Sequence, residues 1–167
     1  MNRRLLAIDQ SLRCTAWCIF EGEQLDSLAA FGCIKTAKGD GTLFDRINII
    51  SSAVYNLYEC TWETTTLCRE GLSFGGMGNA TRDLAQLVGA IENECGKAFS
   101  EVSPKSVKKF ATGSGNATKE DMIAALPDKV SSKFKEQGYK KSTGLADLAD
   151  AYFIGRYHIH NIINEKG

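Results

Sequence analysis

The stretch "RLLAIDQSLRCTAWCIFEGEQLDSLAAFGCIKT", residues 4–36, decides the fold. Arg4 to Asp9 read as a buried strand, a short apolar run that stops at a carboxylate. Cys14 to Phe20 are rich in β-forming residues, and the "EGEQ" after them is a turn. Ala29 to Thr36 read as a third strand. Three such runs joined by short connections predict an antiparallel meander.

Working outward, Leu43, Phe44, Ile47, Ile50, Val54, Leu57 and Tyr58 fall at helical spacing. Thr64 to Glu70 is again β-rich and again ends in a carboxylate. The glycine-rich loop "GLSFGGMGN" (71–79) follows, with Asn79 placed to cap a helix whose apolar stripe is Ala80, Leu84, Leu87, Val88 and Ile91. Phe99 to Pro104 predict a short strand, and "PKSVKKFAT" a basic helix with Pro104 in its first turn. Thr118 and Asp121 form a T-x-x-D capping pattern that opens a helix to about Leu126. The lysine-rich "DKVSSKFKEQGYKKSTG" (128–144) reads as an exposed polar run, and a last helix spans roughly Leu145 to Ile163. The order βββαβαβα(α)α predicts an α/β fold: a mixed β-sheet, antiparallel over its first three strands and parallel beyond, flanked by helices, in a single domain over 1–167.

Composition sets bounds. With 43% hydrophobic and 24% charged residues and only two prolines, the chain buries a core rather than staying disordered. No apolar run reaches the roughly 18 to 20 residues that span a bilayer. The apolar stretch behind "MNRR" is too short for a signal peptide. A cytoplasmic protein with no membrane partner is expected. Six cysteines, none in a C-x-x-C pair and all far from His158 and His160, lack a zinc-ligand pattern and read as reduced, mostly buried thiols. The net charge is zero, but it is unevenly spread. Residues 1–96 carry 8 basic and 12 acidic side chains, whereas residues 97–141 carry 10 lysines against 5 acids. A basic stripe beside an acidic centre suits a polyanion, although a solvated lysine face has the same composition.

Four acids invite attention. Asp9 and Glu70 each end a strand, where α/β sheets gather their active residues, and a right-handed crossover between the strands would make them neighbours. Asp147 and Asp150, in "GLADLADAYFIGRY" (144–157), share one helix face with Ile154 and Tyr157. Singly, each acid reads as readily as a turn or surface residue. Gathered, four carboxylates would repel one another severely unless they held divalent cations. Mg²⁺ prefers such hard oxygen ligands, and a pair of ions can stabilise both the attacking and the leaving oxygen of a phosphodiester.

These segments resemble a known family. "LAIDQSLRCTAW" resembles the first motif of ribonuclease-H-like nucleases, and "GLADLADAYFIGRY" the A-D-x-x-D-A motif of RuvC-type Holliday-junction resolvases. "CREGLSFG" matches their strand-ending glutamate, and "VSPKSVKKFATGSGNATKEDM" their P-x-x-V-K…G-x-G-x-x-x-K segment. The resemblance covers nearly the whole chain, in order, and looks closest to phage-type members. It departs at Gln10 and Ser11, where a D-P-G or D-x-G start is common, and at Ala16, where a glycine often stands. An aromatic expected three residues after the glutamate is replaced by Ser73, with Phe74 next.

The resemblance implies a ribonuclease-H-like fold and a homodimeric, Mg²⁺-dependent endonuclease that nicks four-way DNA in symmetric pairs, leaving 5′-phosphate and 3′-hydroxyl ends. Asp9, Glu70, Asp147 and Asp150 would be ligands to two Mg²⁺ per site, with Mn²⁺ an alternative. Lys119 would join the catalytic set. Lys105, Lys108, Lys109 and Lys119 would hold DNA phosphate, a sequence-independent role, and Phe74 would stack on an unpaired base or lie in a core or interface. The helix after the glycine loop is a candidate dimer interface as well as an ordinary core helix. Three other readings stand beside it: a broader flap and branch nuclease using the same carboxylates, a non-catalytic junction binder that would not need all four, and an actin-like or sugar-kinase-like phosphate binder, whose first phosphate loop "DQSLRCTA" also resembles. The last needs two lobes where this length holds one.

Overall fold

The structure, a computed structural model, describes residues 3–59, 65–72 and 78–164. Its strands are β1 (Arg3–Asp9), β2 (Cys14–Gly22), β3 (Ser27–Lys35), β4 (Thr65–Glu70) and β5 (Ser100–Val102). Its helices are α1 (Leu43–Glu59), α2 (Asn79–Cys95), α3 (Pro104–Thr112), α4 (Lys119–Ala124), α5 (Asp128–Glu136) and α6 (Leu145–Asn164). The sheet runs β3-β2-β1-β4-β5. β1, β2 and β3 pair antiparallel, while β4 lies parallel to both β1 and β5. The expected mixed sheet is therefore present, with β1 in the centre.

Strand alternation assigns each face its partners. On β1, Leu6 and Ile8 join Ile19, Leu67 and the buried sides of α1 and α2 (Ile47, Ile50, Val54, Leu87, Ile91). Leu5 and Ala7 join Cys18, Phe20, Cys68 and the buried side of α6. Asp9 has the parity of Leu5 and Ala7, and Glu70 that of Cys68, so both acids belong to the α6 face. The approach of α6 is set by Gly155, where an added Cβ would stand 2.3 Å from a ring carbon of Phe20 and 3.1 Å from the Cβ of Ala7. Only hydrogen fits there.

Local readings held where the chemistry is short-range. Thr118 and Asp121 form the reciprocal capping box, with Asp121 N–H donating to Thr118 Oγ1 (3.2 Å) and Thr118 N–H to Asp121 Oδ2 (2.8 Å). Three readings need correction. The cap of α2 is Gly78 in an extended conformation; Asn79 is already the first helical residue. The helix opened by Thr118 ends at Ala124, with Leu126 buried beyond it. The run 128–144 is not simply exposed, because α5 forms within it and Phe134 is fully buried, its ring edge-on to Phe31 at 4.6 Å. Two apolar side chains at i and i+4, Val130 and Phe134, suffice to dock a helix whose other faces are lysine-rich. In α2, Leu87, Val88 and Ile91 are buried within the chain, whereas Ala80 is exposed and Leu84 half-buried, so only the later part of the stripe is core.

Candidate active site

The parallel register pairs Ile8 with Arg69, so the next residues along the two strands, Asp9 and Glu70, stand side by side at the strand ends. α6 crosses the same face, and its first turn carries Asp147, where the helix dipole favours a carboxylate. Asp150 follows one turn later. The chain enters α6 through Gly144 (φ +115°), where a Cβ would lie 2.8 Å from the sulfur of Cys33.

The four acids act on one another. Burial, and then the charges of Asp150, Glu70 and Asp147, push the Asp9 carboxyl well above the usual carboxylate range. Asp150 is pushed up to about 7 by burial and by Glu70 and Asp147, with Lys119 and Lys108 pulling the other way. Burial raises Glu70, and Lys108 opposes it. They are gathered rather than closed: among the described residues, no three Asp, Glu, His or Cys side chains already stand at ligand separation around one ion. The donor set nevertheless fits a hard divalent cation. It is all oxygen, and burial and neighbouring acids oppose the ionisation of Asp9 and Asp150, a cost that a cation would offset.

Of the expected basic residues, Lys108 on α3 and Lys119 at the start of α4 are near enough to influence the acids. Lys119 also lines a cavity of about 470 Å³ together with Asp147. Lys105 and Lys109 are exposed on α3. Phe74 lies outside the described residues.

Several residues here went unread in the sequence. Gln10 is 5% exposed, and its Nε2 donates to the backbone carbonyl of Glu70 at 2.9 Å, pinning one strand end to the other. Arg69, also 5% exposed, donates to the same carbonyl at 3.1 Å. Its guanidinium also bridges Glu92 of α2 (3.0 Å) and Glu101 of β5 (2.5 Å). Glu70 thus sits on a braced backbone. Cys14, expected to be a merely structural thiol, lies near enough to Cys33 and Asp147 that they, with burial, push its thiol up. The position of Gln10, directly after the strand-ending acid, was the one available signal.

Residues 5–146 match the family of the crossover junction endodeoxyribonuclease RuvC. The chain belongs to the RuvC family. RuvC of a Bradyrhizobium species (strain BTAi1) is 28% identical over 165 residues, covering 95% of this chain and 87% of that protein. Two solved structures share the fold. Thermus thermophilus RuvC in complex with Holliday junction substrate has a TM-score of 0.68 at 18% identity, covering 97% of this chain and 96% of that one. The yeast mitochondrial Holliday junction resolvase Ydc2 has a TM-score of 0.64 at 13% identity, covering 94% and 78%. By membership this RuvC-family chain is a junction-resolving endodeoxyribonuclease, as the sequence resemblance implied.

Proposed function

We propose that Asp9, Glu70, Asp147 and Asp150 are the metal ligands of this RuvC-family nuclease, holding two Mg²⁺ ions, with Mn²⁺ a substitute. Paired symmetric nicks in a four-way junction follow, leaving 5′-phosphate and 3′-hydroxyl ends. The observation that carries this reading is the gathering of the four acids, two at adjacent strand ends and two on the first turns of α6, where burial and then their mutual charge raise Asp9 and Asp150 above ordinary carboxyls. Bound cations would supply positive charge that activates water and neutralises the leaving oxygen.

The chain's own residues do the rest. Asp9 and Glu70 are presented by adjacent strand ends, a rigid base that keeps the ligands in position. Asp147 and Asp150 come from one helix face fixed to the sheet by Gly155. The carboxyl of Asp150, raised by burial and its acidic neighbours, would give up its proton to solvent on holding a cation. Lys108 and Lys119 bring positive charge beside the acids, where the scissile phosphate must lie, and Lys105 and Lys109 extend that charge along α3 as backbone contacts. Phe74 stacks on a base at the branch. The 167 residues act as one domain, in the cytoplasm, and two copies form a C2 dimer that presents equivalent sites to two like strands. Among the described residues no helix is long and apolar enough to cross a membrane.

The test uses a labelled, immobile four-way junction with matched duplex and flap controls, with and without Mg²⁺. Symmetric, religatable, Mg²⁺-dependent nicks confined to the junction are expected. Equal cutting of flaps indicates a broader branch nuclease, and tight binding without cutting an architectural protein; either result overturns the proposal.

A further inference from the structure

The charge count along the chain locates all the surplus basic residues in 97–141 and makes the N-terminal half acidic. The folded molecule distributes charge differently. A cavity of about 1030 Å³ opens beside Gln10 and Ser11, immediately past Asp9, and Arg13, Lys35, Lys38 and Arg46 line it. The smaller cavity that holds Asp147 and Lys119 shares Ser11, Arg13 and Lys35 with it. The two are therefore one trough, running from the acidic cluster out to Lys38.

The trough is built rather than incidental. The turn that carries Arg13 is tied down on several sides. Arg46 donates from Nη2 to the carbonyl of Leu12 (2.9 Å) and from Nε to Thr36 Oγ1 (2.9 Å), and Thr36 Oγ1 donates to the same Leu12 carbonyl. Ser11 Oγ accepts from Cys14 N–H at 3.0 Å and donates to the Cys14 carbonyl at 2.9 Å. Lys35 is held by the carbonyl of Thr143 at 2.6 Å. Of the two acids in the wall, Asp83 is paired with Arg82, and Asp40 accepts from the N–H of Ala37 at the rim of the cavity, so cations outnumber free carboxylates there. Among the described residues neither Arg13 nor Lys38 has an acidic partner, and both are exposed. Leu12, Ala80 and Leu84 supply an apolar wall to the same cavity.

Two tethered cations, Lys35 and Arg46, two exposed ones, Arg13 and Lys38, and apolar surface opposite them suit single-stranded nucleic acid, with phosphates on the cations and bases against the wall. The volume exceeds what a backbone alone requires and falls at the upper end of the range for pockets that enclose whole small molecules. Resting on the reading of the acids as a nuclease centre, we propose that this trough receives the unpaired nucleotides of the strand that continues past the scissile phosphate at the branch point. Arg13 and Lys38 are its principal phosphate contacts. The trough makes branched DNA a better ligand than continuous duplex, a preference the lysines of α3 do not supply.

The experiment measures binding in EDTA, where nothing is cut, of a four-way junction and a matched unbranched duplex over a salt series. The proteins are the wild type, the double variant Arg13→Ala with Lys38→Ala, and the charge-keeping double variant Arg13→Lys with Lys38→Arg. Each contact to a single-stranded phosphate contributes roughly 0.7 to the slope of log K against log salt. The alanine double variant should bind the junction with a slope shallower by about 1.4 and an affinity lower by roughly three- to tenfold. Its duplex binding should be nearly unchanged, and the charge-keeping variant should follow the wild type on both ligands. An unchanged slope on the junction, or an equal loss on duplex and junction, overturns the trough. Failure of the wild type to cut junctions in Mg²⁺ overturns the nuclease reading separately, because the binding slopes are measured without metal or cleavage.

Discussion

Asp150→Asn separates the electrostatic cost of the acidic cluster from its use. The folded protein raises Asp150 from the ordinary 3.8 to about 7, first by burial and then through Glu70 and Asp147. At about 1.36 kcal/mol per pKa unit, that shift corresponds to at most about 4 kcal/mol. The folded state holds the proton more tightly than the unfolded chain. Stability is therefore full below about pH 3.8, falls as the pH rises toward 7, and is flat above it with respect to this group. The substituted amide keeps the shape of the side chain and removes its charge, and it also relieves Asp9, which Asp150 raises. Urea unfolding in EDTA should show the two proteins alike near pH 4. At pH 8 the variant should be the more stable by up to about 4 kcal/mol, although it no longer cuts. Adding Mg²⁺ should stabilise the wild type at pH 8 and close much of that gap, since a ligand that binds only the folded state stabilises it. Parallel stability curves from pH 4 to 8 would show that the acids do not strain the fold, and would remove the main support for their assignment as ligands.

Other consequences are simpler to test. Asp147→Asn should abolish cleavage while leaving junction affinity in EDTA largely intact; cutting at the wild-type rate would remove Asp147 from the ligand set. Lys119→Ala takes away a cation acting on Asp150 and should slow single-turnover cutting or weaken salt-titrated binding, and no change in either would exclude it from the site. Gln10→Met deletes the Nε2–H donor to the Glu70 carbonyl; calorimetry should show weaker Mg²⁺ binding, with a stability loss of about 1 kcal/mol. Gly155→Ala must push α6 away from Phe20 and Ala7. It should cost about 1–3 kcal/mol and reduce cutting by displacing Asp147 and Asp150 together; an unshifted urea midpoint would show that the helix yields without strain.

The candidate site was legible to the extent that it depends on periodicity and on strand ends. Asp9 and Glu70 close apolar runs, and Asp147 and Asp150 are spaced for one helix face, so each acid's address could be read without a structure. Gln10 could not be assigned a role because the carbonyl it braces is 60 residues away in the chain, nor Arg69 because its carboxylate partners, Glu92 and Glu101, are 23 and 32 residues away, and sequence spacing does not encode such pairings. α5 was missed for a related reason. Its anchor is one phenylalanine whose partner, Phe31, belongs to β3.

By itself the sequence determined the order of the strands and of every helix but α5, the antiparallel start of the sheet, the capping of α4 and the four acids, since these follow from local propensity, side-chain alternation and short-range hydrogen bonds. Tertiary structure alone decided that all four acids share one face of the sheet at one end, because that requires β4 to lie parallel beside β1 and α6 to cross both. It alone decided the close seat of α6, which depends on the space over Phe20. It also decided where the positive charge lies. Segment totals made residues 1–96 acidic, yet folding sets Arg13, Lys35, Lys38 and Arg46 around one cavity next to the strand end that carries Asp9. Charge acts through space, and only the folded chain states which charges are near each other.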